Sequence, residues 1–346
     1  MQHDVLILGH GIAGAVLAES CRQRGLSFHV LDKKRAGNAS MAAGGAVNPV
    51  VLRRDVPSWR AAELMPRTRS FYSNWEQHLG IRCWHPTSLV KIFPTPNEVK
   101  QWERALADPG TAPFIASRPE PEIDEAPLHA PHGYGTVTDA AWLDLPMLLE
   151  AHRQSLFGQD EFTEITVKEA DIQLEPDGVR IGEVQGRWVV DCTGPFAALS
   201  GLVPVKGETL TVRIPRLHLT QMLHVGVGLL PLGDDLYRIG ATFKWTDVWE
   251  GPTAEAREYL LAKLRATLDA PIEVIAQHAG VRPAARDRRP ILGRSGPHKA
   301  VINGLGARGV MLAPWCAEHL LEHLFDGKEL ASEVDRARFD QTFLAT

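Results

Sequence analysis

The chain has 346 residues, enough for two domains or one large one with ample core, and its 44% hydrophobic and 23% charged content is that of an ordinary globular protein. A formal net charge of −5 gives no electrostatic reason to expect nucleic acid or an anionic membrane. No window of about 18 uninterrupted apolar residues suggests a membrane span. The first residues are taken up by a strand and a helix, which leaves no room for a cleavable signal, so a cytoplasmic location is expected. Cys21, Cys83, Cys192 and Cys316 are scattered without metal-like spacing and read as buried free thiols. No metal is expected.

The chain opens on the apolar run Val5-Leu6-Ile7-Leu8, followed directly by Gly9-His10-Gly11-Ile12-Ala13-Gly14. In such a junction a strand ends, the backbone turns tightly, and a helix starts with free N–H groups aimed at a pyrophosphate. Gly9 permits the turn, Gly11 lets phosphate approach the backbone, and Gly14 and Ala18 let the helix pack on the strand. The second strand, Ser27 to Leu31, ends on Asp32, about 20 residues further on, where an acid meets a ribose hydroxyl. That acid favours an unphosphorylated ribose, NAD or FAD rather than NADP, and does not choose between the two. The plain alternative is an ordinary strand–helix turn.

Further along, Gly37 to Ala46 forms a small-residue loop against which a flat ligand can lie. A helical pattern from 58 to 80 carries Trp59, Leu64, Phe71 and Trp75. Proline-rich loops dominate 109–133. Trp142 to Leu149 starts another helix, and Val184 to Cys192 reads as a buried strand ending at Thr193-Gly194-Pro195. Residues 203–245 read as antiparallel strands: Glu208 to Ile214, Gly226 to Leu232 and Leu236 to Phe243. Residues 254–268 form an amphipathic helix. Val301-Ile302-Asn303 is a short strand, followed by Gly304-Leu305-Gly306-Ala307-Arg308-Gly309 and a helix through Phe325. This second glycine-rich junction implies a discontinuous dinucleotide domain holding both ends of the chain, with a mixed antiparallel domain inserted.

Three later segments sharpen the reading. Pro204-Val205-Lys206-Gly207-Glu208 is a P-V-K-G-E turn. Gly280-Val281-Arg282-Pro283, with Asp287, Pro290 and Gly293, fits G-x-R-P-x-x-x-D-x-x-P-x-x-G. Gly306-x-Arg308-Gly309 precedes Leu312-Ala313-Pro314. Taken in order with Gly9 to Gly14, Asp32, the Ala39-Ser40 and Ala43-Gly44-Gly45 loop and Asp191-Cys192-Thr193-Gly194, they resemble the FAD-dependent amine and amino-acid oxidases of the D-amino-acid oxidase superfamily. Glycine oxidases and the oxidase half of a bifunctional tRNA wobble-uridine enzyme are the similar members. An NAD-dehydrogenase reading has no account of the last two segments.

The resemblance implies an α/β fold: a Rossmann-like FAD-binding domain over 1–80, 140–202 and 285–346, and a mainly antiparallel substrate domain over 81–139 and 203–284. It implies non-covalent FAD, since Cys316 reads as a core thiol and His10 acts through its backbone. The residues assigned to the cofactor are Gly9, Gly11, Ile12, Ala13 and Gly14 in the first turn, then Asp32 and Lys33. Ser40, Ala43, Gly44 and Gly45 follow, with Val167, Thr193 and Gly194. Arg282, Gly304, Gly306, Ala307, Arg308, Gly309 and Val310 complete the set. Hydride would leave a carbon next to an amine for flavin N5, the imine would hydrolyse, and oxygen or another electron acceptor would reoxidise the flavin. The N–H groups of the helix after Gly309 would stabilise the charge that develops.

For the substrate, a small amine or amino acid, the resemblance points to Arg282, whose planar fork suits a carboxylate. The alternative is a structural arginine paired with an acid such as Asp287, because five arginines crowd 282–294. No catalytic acid or base stands out, and hydride transfer asks mainly for alignment. Where glycine oxidases carry tyrosines, this chain has Leu223 and Gly228, which implies a bulkier substrate than glycine or another grip on its carboxylate. His224, Phe243 and Trp245 are candidates to line the pocket.

Two other readings stand beside this one. The first is a tRNA oxidase that removes a carboxymethyl group from a wobble-uridine side chain, which Ala307-Arg308-Gly309 and Ala313 to Glu318 resemble. It would need a local basic face from Arg282, Arg286, Arg288, Arg289 and Arg294. The second is a non-catalytic flavin-binding protein.

Overall fold

The computed structural model describes residues 2–117 and 128–344. Two sheets frame it. At the centre of the first, Gln2–Leu8 lies parallel between Phe28–Asp32 and Val184–Asp191, with Val5 opposite Phe28 on one side and Trp188 on the other. Phe162–Glu164 and Lys299–Asn303 extend it in parallel, and Ile172–Glu175, Gly178–Ile181 and Ile291–Gly296 add antiparallel edges. Val5, Leu6 and Ile7 are fully buried because a parallel sheet is covered on both faces. The helices Ile12–Gln23 and Gly309–Phe325 pack on each other, and buried Ala15, Ala18 and Ala317 let them approach.

In the second sheet Glu273–Ala285, Leu202–Arg213, Leu236–Gly240, Gly228–Gly233 and Met222–His224 follow one another antiparallel. Met222–His224 then pairs parallel with Trp84–Ile92, which pairs antiparallel with Tyr134–Leu143. Register decides what this sheet offers. Arg282 stands opposite Val205, Gly280 opposite Gly207, Gly240 opposite both Thr209 and Gly228, Arg238 opposite Thr211, and His224 opposite Gly228. Opposed residues share a face, as do alternate residues of one strand. Arg282, Gly207, Thr209, Arg238, Gly228 and His224 therefore all point the same way.

Several elements differ from the sequence reading. Trp142 and Leu143 end a strand, Tyr134–Leu143, and the helix begins only at Leu145. Asp144 marks the change: its side chain accepts from Met147 N, and Pro146 sits in the first turn. The helix expected from 58 covers Ala61–Leu79, leaving Trp59 ahead of it. A helical turn, Ala39–Ala42, interrupts the small-residue loop because the Asn38 side chain accepts from Ser40 N. The Trp84–Ile92 and Glu273–Ala285 strands carry no clean alternation, so the pattern does not reveal them. Of the proline-rich stretch, 118–127 lies outside the described residues; before it, Ala112–Phe114 and Ile115–Ala116 are a short 3-10 turn and strand. No helix among the described residues is long and apolar enough to cross a membrane, and no acidic, histidine or cysteine cluster there could hold a metal ion.

Candidate active site

A cavity of about 450 Å³ runs from the first glycine turn to the glycine-rich face of the second sheet. That volume is within the range of small-molecule and cofactor sites. At one end, Gly9 has φ +96°, and a Cβ there would come within 2.9 Å of the Cys192 carbonyl oxygen, so the ends of two parallel strands touch where only glycine fits. The helix that follows starts at Ile12 with no side-chain cap on Gly11. Ile12 N–H donates to Ser40 Oγ at 3.0 Å, while the N–H groups of Ala13 and Gly14 lie in the first turn, ahead of any intrahelical acceptor. Such a turn suits an anion.

Asp32 ends its strand at the cavity wall, where Arg153 Nη1 donates to its carboxylate at 3.3 Å. Arg153 also donates to Glu164 at 2.9 Å. Lys33, Ser40, Ala43, Gly44, Gly45 and Val167 line the same space. Gly45 has φ +71°, and a Cβ there would lie 1.9 Å from the Leu143 carbonyl oxygen, so this loop is pressed onto the second sheet. Thr193 and Gly194 line it too, Thr193 being fixed by hydrogen bonds from its N–H and hydroxyl to Asp191. From the C-terminal junction come Gly306, Ala307, Gly309 and Val310, at the start of a helix without an acidic first turn.

Three residues assigned to the cofactor stand elsewhere. Gly14 lies behind the turn: a Cβ there would sit 1.9 Å from the Gly9 carbonyl oxygen, so this glycine serves helix packing. Gly304 has φ +70° and packs on Ile291 and Ala285. The Arg308 side chain turns away to donate to Ser58 Oγ. Asn303, which no motif marks, is central. Buried beneath both loops, it donates to the Gly194 carbonyl at 2.9 Å and accepts from Gly304 N–H at 2.8 Å, pinning the two glycine-rich junctions together.

The other end of the cavity is built on the second sheet. The Arg282 guanidinium lies across Gly207, where a Cβ would come within 2.0 Å of it. Its Nη1 donates to the carbonyls of Thr242 (3.1 Å) and Lys206 (3.4 Å), and its Cζ lies 4.3 Å from the centre of the Phe243 ring. Burial lowers its pKa to about 10. No acid among the described residues pairs with it. Asp287 instead takes Arg338 at 2.7 Å, so the alternative pairing is not what the chain adopts. Arg286 and Arg288 are exposed, Arg289 reaches Glu333 and Arg294 covers Trp188, so this cluster does not form one face.

Leu223 and Gly228 both line the cavity, with Met222, His224 and Leu230 around them. Burial and the Lys91 charge depress the His224 pKa to about 4, so its ring is neutral at pH 7 and can accept a hydrogen bond from an amine. Phe243 lines the cavity and Trp245 does not, being 64% exposed. A second guanidinium, Arg238, also reaches the cavity, donating to the Ala43 carbonyl at 3.3 Å. The sequence showed it only as a lone charge in the strand Leu-Tyr-Arg-Ile-Gly.

Glycine cradles, free helix N–H groups and an acid at the end of the second strand fit the pyrophosphate and ribose of FAD, and the flat glycine-lined remainder fits its ring system. The family model for FAD dependent oxidoreductases matches residues 4–323. Among curated proteins, the chain is 25% identical to a glycine oxidase of Pseudomonas putida, covering 95% of this chain and 96% of that one. It is 23% identical to the tRNA 5-methylaminomethyl-2-thiouridine biosynthesis bifunctional protein of Marinobacter nauticus, covering 92% of this chain. The chain spans only 55% of that protein's length. The solved structure of glycine oxidase from Geobacillus kaustophilus shares the fold with a TM-score of 0.76 at 22% identity, covering 98% of both chains.

Proposed function

This chain belongs to the FAD dependent oxidoreductase family, and from that premise we propose that it oxidises the C–N bond of a small amino acid or N-substituted glycine. When bound, FAD supplies a hydride acceptor. The chain's own residues do the rest. Ala13 and Gly309 present backbone N–H groups, and Asp32 faces the ribose end. Arg282 binds the substrate carboxylate, with its unused donors open to the cavity and Gly207 leaving room for the guanidinium. Met222, Leu223 and Leu230 present apolar walls that exclude water from the reacting carbon, and neutral His224 accepts a hydrogen bond from the amine without adding positive charge.

The observation that carries this reading is the half-buried Arg282 guanidinium, which has no acidic partner among the described residues at the substrate end of the cavity. A partly desolvated cation held only by carbonyls is costly, and a ligand carboxylate offsets that cost. The test is an oxygen-free titration of the yellow protein with a panel of amines, read at the flavin absorbance band. Bleaching by amino acids or N-substituted glycines, and not by their carboxamides, is expected; no bleaching across the panel would sink the reading.

A second reading is removal of a carboxymethyl group from a wobble-uridine side chain in tRNA. The likeness to the Marinobacter protein and the Ala307-Arg308-Gly309 junction favour it, and Arg282 would grip the same kind of carboxylate. Turnover of modified tRNA with an artificial electron acceptor, and none of free amino acids, would select it.

A further inference from the structure

The sheet face that carries Arg282 carries a second cation, and the reading above gives that cation no task. Resting on the reading that a substrate carboxylate meets Arg282, we propose that Arg238 binds a second carboxylate. The substrate class is then an amino acid or N-substituted glycine that bears two carboxylates.

Arg238 stands opposite Thr211 and Leu230, on the cavity face of its strand. It is half-buried, and its Nε is sealed from solvent without a hydrogen-bond partner. Its Nη1 donates to the Ala43 carbonyl. The acid whose charge it feels, Asp144, is engaged in capping the Leu145–Gly158 helix through Met147 N at 3.0 Å and makes no ion pair with it. Among the described residues that line the cavity, Asp32 is the single acid, and it sits on the first sheet with Arg153. The substrate end thus holds two guanidinium groups and no carboxylate. One carboxylate can offset one of these desolvated charges, and the other stays uncompensated.

Register gives the spacing. The Arg282 guanidinium lies over Gly207. Arg238 bonds the Ala43 carbonyl, and the neighbouring Ala42 carbonyl accepts from the Thr209 hydroxyl at 3.1 Å. Arg238 stands opposite Thr211, four residues of strand beyond Gly207 or roughly 13 Å at about 3.3 Å per residue, and its reach to Ala43 shortens the gap to the order of 10 Å. A short dicarboxylate spans that gap. Gly228, Gly240 and Gly44 add no side chain to the floor between them, which leaves Thr209 as the residue standing there.

The test uses the flavin-loaded protein without oxygen and reads binding of non-reacting acids, by calorimetry and by perturbation of the flavin spectrum. Succinate and glutarate should bind roughly 10–100-fold more tightly than butyrate, and Arg238→Met should bring that ratio to about one, the loss of one charge-assisted pair. Arg238→Lys should keep part of the ratio, which separates loss of charge from loss of fold. Equal binding of succinate and butyrate by the unmodified protein, or a ratio that survives Arg238→Met, would overturn the assignment. Bleaching with aspartate and N-carboxymethylglycine against alanine and sarcosine is read separately. If no amine bleaches the flavin while the dicarboxylate ratio holds, the oxidation reading fails and the Arg238 site stands.

Discussion

Arg282 illustrates how one glycine sets the position of a charge. A Cβ on Gly207 would meet the far end of the guanidinium at 2.0 Å, and that flexible end can move while the backbone stays. Gly207→Ala is therefore expected to fold normally and retain flavin, yet bind carboxylate substrates as poorly as Arg282→Met. Both should lose about 100- to 1,000-fold in kcat/KM, the cost of a bidentate charged pair, measured by steady-state kinetics. His10 makes a different prediction. Its ring stacks on His152 at 5.1 Å with a 3.1 Å N···N contact, and burial drives both rings below the ordinary imidazole range, His10 to about 3. The unfolded chain then binds protons that the folded chain refuses. Stability is flat above pH 6.5 and falls as pH drops toward 3, by about 2 kcal/mol for His10 alone between pH 6.5 and 5. Denaturant melts across that window should show the slope, and His10→Asn should reduce it.

Among the elements, the Ile12–Gln23 helix depends on its first glycines in two distinct ways. Gly9 and Gly11 face the cavity, whereas Gly14 allows the helix to rest on the turn itself. Gly14→Ala forces a methyl against the backbone of Gly9, so the helix must shift, at about 1–3 kcal/mol, and the purified protein should be pale. Gly158→Ala is the matched control: nothing lies within 4 Å of its Cβ and its φ is not positive. It should leave colour unchanged and raise stability by about 0.4–1 kcal/mol. Thermal melts and flavin absorbance of the two variants decide the point. The strand–helix boundary at Asp144 shows where pattern alone misleads. Trp142-Leu143 and Leu145 through Leu149 form one apolar run, and only the Asp144 side-chain cap and the pairing of Trp142 with His85 and Ala46 divide it.

At the scale of the molecule, the cavity joins both sheets, so bound flavin ties them together. Removing it should lower stability by RT ln(1 + [L]/Kd), about 2.7 kcal/mol at a hundredfold excess over Kd, seen as a lower Tm for the flavin-free protein. Burial raises the thiols of Cys192 and Cys316 well above their ordinary range, leaving them protonated. Acid precipitation should therefore leave the yellow chromophore in the supernatant, and a yellow pellet would show a covalent link.

The glycine turn, Asp32, the second glycine junction and Arg282 were legible in the sequence because each is a local device. A backbone turn, a strand end or a short motif keeps its chemistry within a few residues. Tertiary structure alone decided the rest. Asn303 bonds Gly194, far away in the chain, and Arg153 reaches Asp32 from the Leu145–Gly158 helix. Arg238 and Arg282 share one face only because the strands between them pair in a particular register. A one-residue slip in that pairing would turn either arginine away from the cavity. The sequence determined where each end of the chain makes a glycine-rich turn, whereas the register of the second sheet decided which charges face the cavity.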